Sequence, residues 1–347
     1  MQPHDSVVSS LYANARFGSW ATYAEGMERF WVYSDGRQQT VDSAADFLAG
    51  MRSDSFDFGW IDLTLDDTET LSRLADELDL HQLAVEDALN THERPKISRF
   101  STHLLMTLSA ARLEESHEVQ LARCTTFLLP KLVVTVHEDD FPMAEVVARL
   151  EANDDLISCG TGYIVWGLLD CVVDGHVDVL AEVSDHTDEL TALMFDDARA
   201  TFEVQKTAFV LRRSVQRMQH VTLPLREVVN TLLRSDSRMA VRGLEPYFSD
   251  VYDHTLHSAE WAEGLRDQIS MILETNVALQ GNQMNEVMKK VTSWAAIIAV
   301  PTAITGYFGQ NVEFPGFGSV ETWWVSNALL VVMGVGLYWL FKRSNWL

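Results

Sequence analysis

The chain has 347 residues, and its 50 Asp and Glu against 26 Lys and Arg give a formal net charge of -24. So large an acidic excess excludes a nucleic-acid partner, whose phosphates need a basic face, and makes cations the fitting partners. Its three cysteines, Cys124, Cys159 and Cys171, are odd in number and fall in segments read as cytosolic, so neither a disulfide nor a thiolate metal site is expected.

The first ten residues carry an acid at Asp5 and neither a basic n-region nor an apolar h-region, so no cleaved secretory signal is expected. Residues 56–62 (FDFGWID), 97–112, 119–128 and 132–137 (LVVTVH) have the apolar and β-branched content of strands. Between them, Asp66 or Asp67 is placed to cap a helix carrying Leu71, Leu74, Ala75 and Leu78, and a second helix runs from His81 to about Leu89. Pro95 stops any helix there, and another begins near Pro142. Residues 1–153 therefore read as a mixed α/β domain.

An acidic long-helix region, 154–245, follows. Asp154, Asp155, Asp170, Asp174, Asp178, Glu182, Asp185, Asp188, Glu189 and Asp196 come with no Lys or Arg between them. They form either a solvated helix face or, crowded at the mouth of a conduit, a field that concentrates divalent cations. Apolar residues recur at three- and four-residue spacing from Gly162 to about Leu233, broken by Pro224, which predicts two long helices or one bent pair. After Gly243 a helix with Pro246 in its first turn meets no proline until Pro301. Such a helix has about 60 residues and is about 90 Å long, so about two thirds of it projects beyond a bilayer as a stalk.

Two uncharged apolar stretches, Val291 to Val312 and Trp323 to Phe341, are bracketed by Lys289, Lys290, Lys342 and Arg343, and the loop between them carries Glu313 and Glu321 but no Lys or Arg. Each is close to the roughly 20 residues that cross a hydrocarbon core. The positive-inside rule places both ends in the cytosol, as a multi-pass protein of the plasma (inner) membrane. The stalk and first span occupy 246–309, with the span at about 291–309. An extracytoplasmic loop takes 310–322, the second span 323–341, and a cytosolic basic tail 342–347.

Along the first span Asn285, Met288, Thr292, Ala295, Ala299, Thr302 and Gly306 form a small or polar stripe, while Trp294, Ile297, Ile298, Val300, Ile304 and Tyr307 suit lipid or a packed neighbour. Small residues alone fit close helix packing, whereas Asn285 and Thr302 point to a water-filled axis. One hairpin cannot enclose a pore, so conduction requires several copies around an axis. His254 and His257 with Asp250 and Asp253, and likewise His176 and His186, read as solvated helix faces rather than zinc ligands. No nucleophile–base arrangement, phosphate-binding glycine loop or dinucleotide fingerprint is present, so no enzyme is expected.

Tyr307-Phe308-Gly309-Gln310-Asn311 at the end of the first span, with the closing Phe341-Lys342-Arg343-Ser344-Asn345-Trp346-Leu347, resembles the CorA family of divalent-cation transporters. The blocks Glu86-Asp87 through Arg94-Pro95-Lys96, Pro246 to His254 and Asn285 to Thr292 are similar to that family in order and spacing. The resemblance implies an α+β protein: an N-terminal α/β cytosolic domain, a long helical stalk and a two-helix transmembrane hairpin, assembled as a homopentameric funnel. It implies a selectivity filter of Gly309, Gln310 and Asn311 and a pore lined by Asn285, Met288, Val291, Thr292, Ala295, Ala299, Thr302 and Gly306, with Met288 and Val291 as the apolar constriction. It implies influx of Mg2+, and of Co2+ and Ni2+, with cytosolic Mg2+ closing the pore through a regulatory metal held by Asp87, Asp250 and, more weakly, Glu86.

The chain departs from the family pattern at Gln310, where Met is usual, at Ala299, often bulky, and at Val291, often Leu. The alternatives are a zinc transporter of the same superfamily, driven by a proton gradient, and a non-conducting membrane-tethered cation sensor or scaffold.

Overall fold

The computed structural model describes residues 29–90, 93–196, 201–234, 243–310, 312–313 and 315–347. It divides into two units, one of Met1–Asp196 with Phe202–Ser270 and one of Asp197–Thr201 with Met271–Leu347.

The first unit is built on a seven-stranded sheet: β1 (Arg29–Ser34), β2 (Arg37–Val41), β3 (Phe58–Thr64), β4 (Lys96–Arg99), β5 (Leu104–Leu113), β6 (Val119–Leu129) and β7 (Leu132–His137). The strand order is β2-β1-β3-β7-β6-β5-β4, and β3 with β7 is its parallel pair, with Trp60 opposite Val133 and Asp62 opposite Thr135. Helices cover both faces, so the central strands are buried on both sides and read as nearly unbroken apolar runs. The pleat sorts them: Phe58 and Trp60 of β3, Val133 of β7 and Met106 and Leu108 of β5 feed one core, and Ile61, Leu63, Val134, Val136 and Leu105 feed the other.

Over the second core lie α1 (Ala44–Arg52), α2 (Thr68–Glu77) and α3 (Gln82–Leu89). Gly59 makes room for α1, because a Cβ there would stand 2.3 Å from the Phe47 ring. Over the first core lie α4 (Met143–Glu151), a 3-10 turn (Asp154–Cys159), α5 (Thr161–Asp196), α6 (Thr201–Arg234) and the start of α7 (Glu245–Phe308).

In the second unit α7 continues from Met271 and α8 (Val320–Arg343) follows it. Both helices are long and apolar enough to cross a membrane, and the apolar window of α8 buries none of its residues within the chain. Ser319 caps α8 by accepting from the Thr322 amide at 3.2 Å, Glu321 lies in its first turn, and Lys342 and Arg343 lie in its last. That charge order complements the helix dipole. Trp323 and Trp324 stand at one end and Tyr338 and Trp339 at the other, with Lys342 over Tyr338 and Arg343 over Trp339, the arrangement of aromatic belts at two water interfaces.

The sequence reading differs from the structure in several places. The β1–β2 hairpin and α1 were not expected; Asp35 and Gly36 both take positive φ, as a two-residue turn of the type that matches strand twist requires. Residues 97–112 are two strands, separated by a turn at 100–103 where the Phe100 amide donates to the His103 carbonyl. Asp67 is the N-cap of α2, yet its side chain accepts from the amide and hydroxyl of Thr64, at 2.8 and 3.0 Å, and makes no capping bond.

Pro224 lies inside α6 and does not break it. It removes one helical N–H, but Val215, Met218, Val221, Leu225, Val228 and Val229 are buried on either side, and that packing outweighs the lost bond. His176, read as solvated, is 1% exposed and its Nε2 is 2.8 Å from the Ser109 carbonyl. The apolar run reaches Val312, but α7 stops at Phe308.

Candidate functional site

On α7, Asn285, Met288, Val291, Thr292, Ala295, Ala299, Thr302 and Gly306 are all exposed. Between 281 and 308 the residues this chain covers, wholly or in part, are Ser293, Ala296, Ile297, Val300, Pro301, Ile304 and Phe308. At 3.6 residues per turn these two sets fall on opposite sides of the helix. The small and polar stripe thus lies on a side the chain leaves uncovered, as do the bulky Trp294, Ile298 and Tyr307. A groove at its lysine-bearing end is lined by Asn282, Asn285, Glu286, Met288, Lys289, Thr292 and Trp346, which brings Trp346 beside three of the stripe residues.

The hydroxyl of Thr302 donates to the Ile298 carbonyl at 2.7 Å, and that of Thr305 to the Thr302 carbonyl at 2.9 Å. With its proton tied to its own helix, the Thr302 oxygen keeps its lone pairs for the exposed side. Gly306 has open space where a Cβ would stand, so nothing narrows the stripe at that level.

Gly309 ends α7. Its amide donates to the Thr305 carbonyl at 2.8 Å, and a Cβ there would approach that same carbonyl oxygen to 2.9 Å. A helix backbone cannot yield as a side chain can, so the position requires glycine. The Gln310 amide is 3.4 Å from the Tyr307 carbonyl, and its side chain is exposed. Asn311 lies outside the described residues.

The acidic block lies on the first unit. Glu86 and Asp87 are in the last turn of α3, which starts at His81 as the sequence predicts. Asp87 Oδ2 accepts from Lys96 Nζ at 2.7 Å, and Lys96 is also 3.0 Å from Glu93 Oε2. Burial alone would lower the Lys96 pKa, but the two carboxylates outweigh it and hold it above its ordinary value. Glu86 accepts a long 3.4 Å bond from Gln82.

Beneath this helix stands a residue the sequence gave no reason to single out. Arg123 of β6 is 4% exposed, and its guanidinium donates to the carbonyls of Asp87 at 3.1 Å, Ala88 at 2.8 Å and Asn90. A cation thus closes the C-terminal end of α3, donating to its last carbonyls, of which that of Asp87 also accepts from the Asn90 amide at 3.3 Å. Its own backbone amide donates to Glu138 Oε2 at 2.8 Å.

Asp250, in the early turns of α7, has a side chain 65% exposed and lies 3.9 Å from His254 Nε2, whose Nδ1 is 3.8 Å from Asp174 of α5. Arg149 of α4 pairs with Asp170 and Asp174, so part of the acidic run is bound internally rather than solvated. Burial raises the Asp170 carboxyl above its ordinary value, with Arg149 opposing. Among the described residues of one chain, no group of three His, Cys, Asp or Glu side chains is arranged to hold a metal ion. Asp87 and Asp250 are therefore each present and each partnered by a nearby base, and one chain does not by itself assemble a cation site from them.

The sequence profile of the family described as CorA-like Mg2+ transporter protein matches residues 56–343, and the chain belongs to that family. It is 29% identical over 295 residues to the cobalt/magnesium transport protein CorA of Thermotoga maritima, covering 83% of each chain. It is 24% identical over 266 residues to the zinc transport protein ZntB of Yersinia enterocolitica, covering 73% of this chain and 77% of that one. Among solved structures it matches the complete CorA magnesium transporter of Methanocaldococcus jannaschii with a TM-score of 0.75 at 22% identity, over 93% of this chain and 99% of that one. The full-length CmaX protein matches with a TM-score of 0.66 at 19% identity, over 92% and 98% of the two chains. These likenesses carry the fold: an α/β unit, long helices and two C-terminal apolar helices.

Proposed function

We propose that the chain assembles as a homopentamer around the uncovered stripe of α7 and admits divalent cations, Mg2+ foremost with Co2+ and Ni2+, into the cell. The observation that carries this reading is the exposure of the whole stripe on α7: every residue able to line a wet axis lies where its own chain does not cover it. Each half of the hairpin would be a span, with 310–322 outside the cell, 342–347 inside, and both termini in the cytosol. Entry would need no chemical energy source, because a divalent ion entering an inside-negative cell gains about 4.6 kcal/mol per 100 mV.

Mg2+ sheds water reluctantly and prefers an octahedral shell. A ring of neutral oxygens, the Gly309 carbonyls and the Asn311 side chains, suits recognition of the hydrated ion, and Thr302 and Asn285 would add polar rings further in. Met288 and Val291 would close the path by dewetting. Asp87 of one subunit and Asp250 of the next, with Glu86 nearby, would share a regulatory Mg2+ that screens their repulsion and favours the closed ring.

Gln310, in place of the usual Met, and the similarity to ZntB support a second reading in which Zn2+ is the cargo. Flux into proteoliposomes tests both. Mg2+ entry driven by an inside-negative potential and reduced at least about tenfold by Asn311→Ala is expected. Vesicles no more permeable to Mg2+ than bare lipid, or full flux in the variant, would refute it. Zn2+ entry driven by a pH gradient with Mg2+ excluded would establish the second reading.

A further inference from the structure

Asp87 in the last turn of α3 and Lys96 at the start of β4 bring their side chains together as an ion pair. The two side chains are 32% and 28% exposed, so water screens their contact only in part. Arg123 holds the carbonyls of Asp87 and Ala88 from below, which fixes the backbone from which the carboxylate projects. Glu93, at 3.0 Å, gives the ammonium a second carboxylate on which to rest.

A positive charge therefore already sits on the carboxylate assigned above to the regulatory ion. From this arrangement we infer that Lys96 is a built-in competitor for Asp87 and sets the cytosolic Mg2+ concentration at which the pore closes; the inference rests on the Asp87–Asp250 reading. An incoming divalent ion must share one carboxylate with an ammonium a few ångströms away, or drive it onto Glu93. Either course weakens binding, because two cations on a half-exposed acid repel through a medium less screening than bulk water. Lysine suits the task, since its flexible four-carbon stem lets the charge move aside while its backbone stays in β4. The set point of closure then depends on an internal cation as well as on the acids that bind the external one.

The test measures Mg2+ flux through the full chain in proteoliposomes against Mg2+ on the cytosolic side. Lys96→Met and Lys96→Gln both remove the charge and are expected to lower the half-closing concentration roughly tenfold, equivalent to about 1.4 kcal/mol. Lys96→Arg keeps the charge and is expected to stay within about twofold of the wild type, which loss of packing alone would not produce. Asp87→Asn is the reference, expected to raise the half-closing concentration. If it does so while both neutral Lys96 variants stay at the wild-type value or above, the Lys96 inference is overturned and the regulatory reading stands. If Asp87→Asn also leaves closure unchanged, the regulatory reading fails and the inference fails with it. Should a neutral variant not assemble, the Mg2+ midpoint for protecting the purified protein against heating, read on the other neutral variant, supplies the same comparison.

Discussion

Replacing Arg123 by Met should loosen the helix that carries the acidic block. The guanidinium is nearly fully buried and donates to the carbonyls of Asp87, Ala88 and Asn90, three acceptors at the end of one helix. Hydrogen bonds to charged groups contribute about 1.5–3 kcal/mol each, but three made by one group are not additive. Burial also disfavours the charge, and it lowers the Arg123 pKa even with Glu138 nearby. Setting that desolvation against the three bonds leaves a loss of about 3 kcal/mol, because Met fills the volume but donates nothing to the carbonyls. For a unit of this size that corresponds to a fall in Tm of about 6–12 °C. Thermal unfolding of the detergent-solubilised protein, followed by tryptophan fluorescence, measures it. Arg123→Lys should recover only part of the loss, since an ammonium cannot reach three carbonyls in one plane. A Met variant that melts within about 2 °C of the wild type would refute the reasoning.

Two further outcomes follow from the same geometry. Gly309→Ala should cut flux at least about tenfold with assembly intact, as native electrophoresis can verify, because the added Cβ stands 2.9 Å from the Thr305 carbonyl and must displace the backbone at the end of α7, beside the proposed filter. His176 titrates in the opposite sense to His137. Burial pushes the His176 pKa down to about 4, so its contribution is present above the unfolded value of about 6.5 and is lost as pH falls, by roughly 3 kcal/mol at pH 4. His176→Gln, which keeps a donor to Ser109, should flatten this acid limb in melts taken from pH 7 to 4. Unchanged acid sensitivity would count against it. At His137 burial favours the neutral ring, but the Asp62 bond outweighs it and raises the pKa, so that contribution is complete below the unfolded pKa and fades as pH rises through the folded one.

Much of the fold was legible because long periodic patterns carry their own evidence. The span of α7, the start of α3 at His81 and the fully buried β7 follow from spacing and composition alone. The β1–β2 hairpin was missed although Asp35-Gly36 after an apolar run is a turn signal, and α1 although Ser43 caps it by accepting from the Asp46 amide. Pro224 misled for a different reason: a local rule about proline was outweighed by buried residues on both sides of it. His176 lies four and seven residues from Val172, Leu169, Leu180 and Val183, all buried, so its position on the apolar face was readable, yet the acids around it drew attention first. Arg123 could not have been found this way. Its partners are backbone carbonyls more than thirty residues distant in the chain, and no side-chain pattern announces a carbonyl.

The bond from the Thr302 hydroxyl to Ile298 bears on charge sign. An oxygen whose only hydrogen is spent along its own helix has nothing to offer chloride or phosphate, whereas sodium, magnesium or the hydrogens of their hydration water all find an electron-rich atom. Repeated around a ring of subunits, such hydroxyls would turn anions away at that depth without a single fixed negative charge in the bilayer, where an ionised group is hardest to keep.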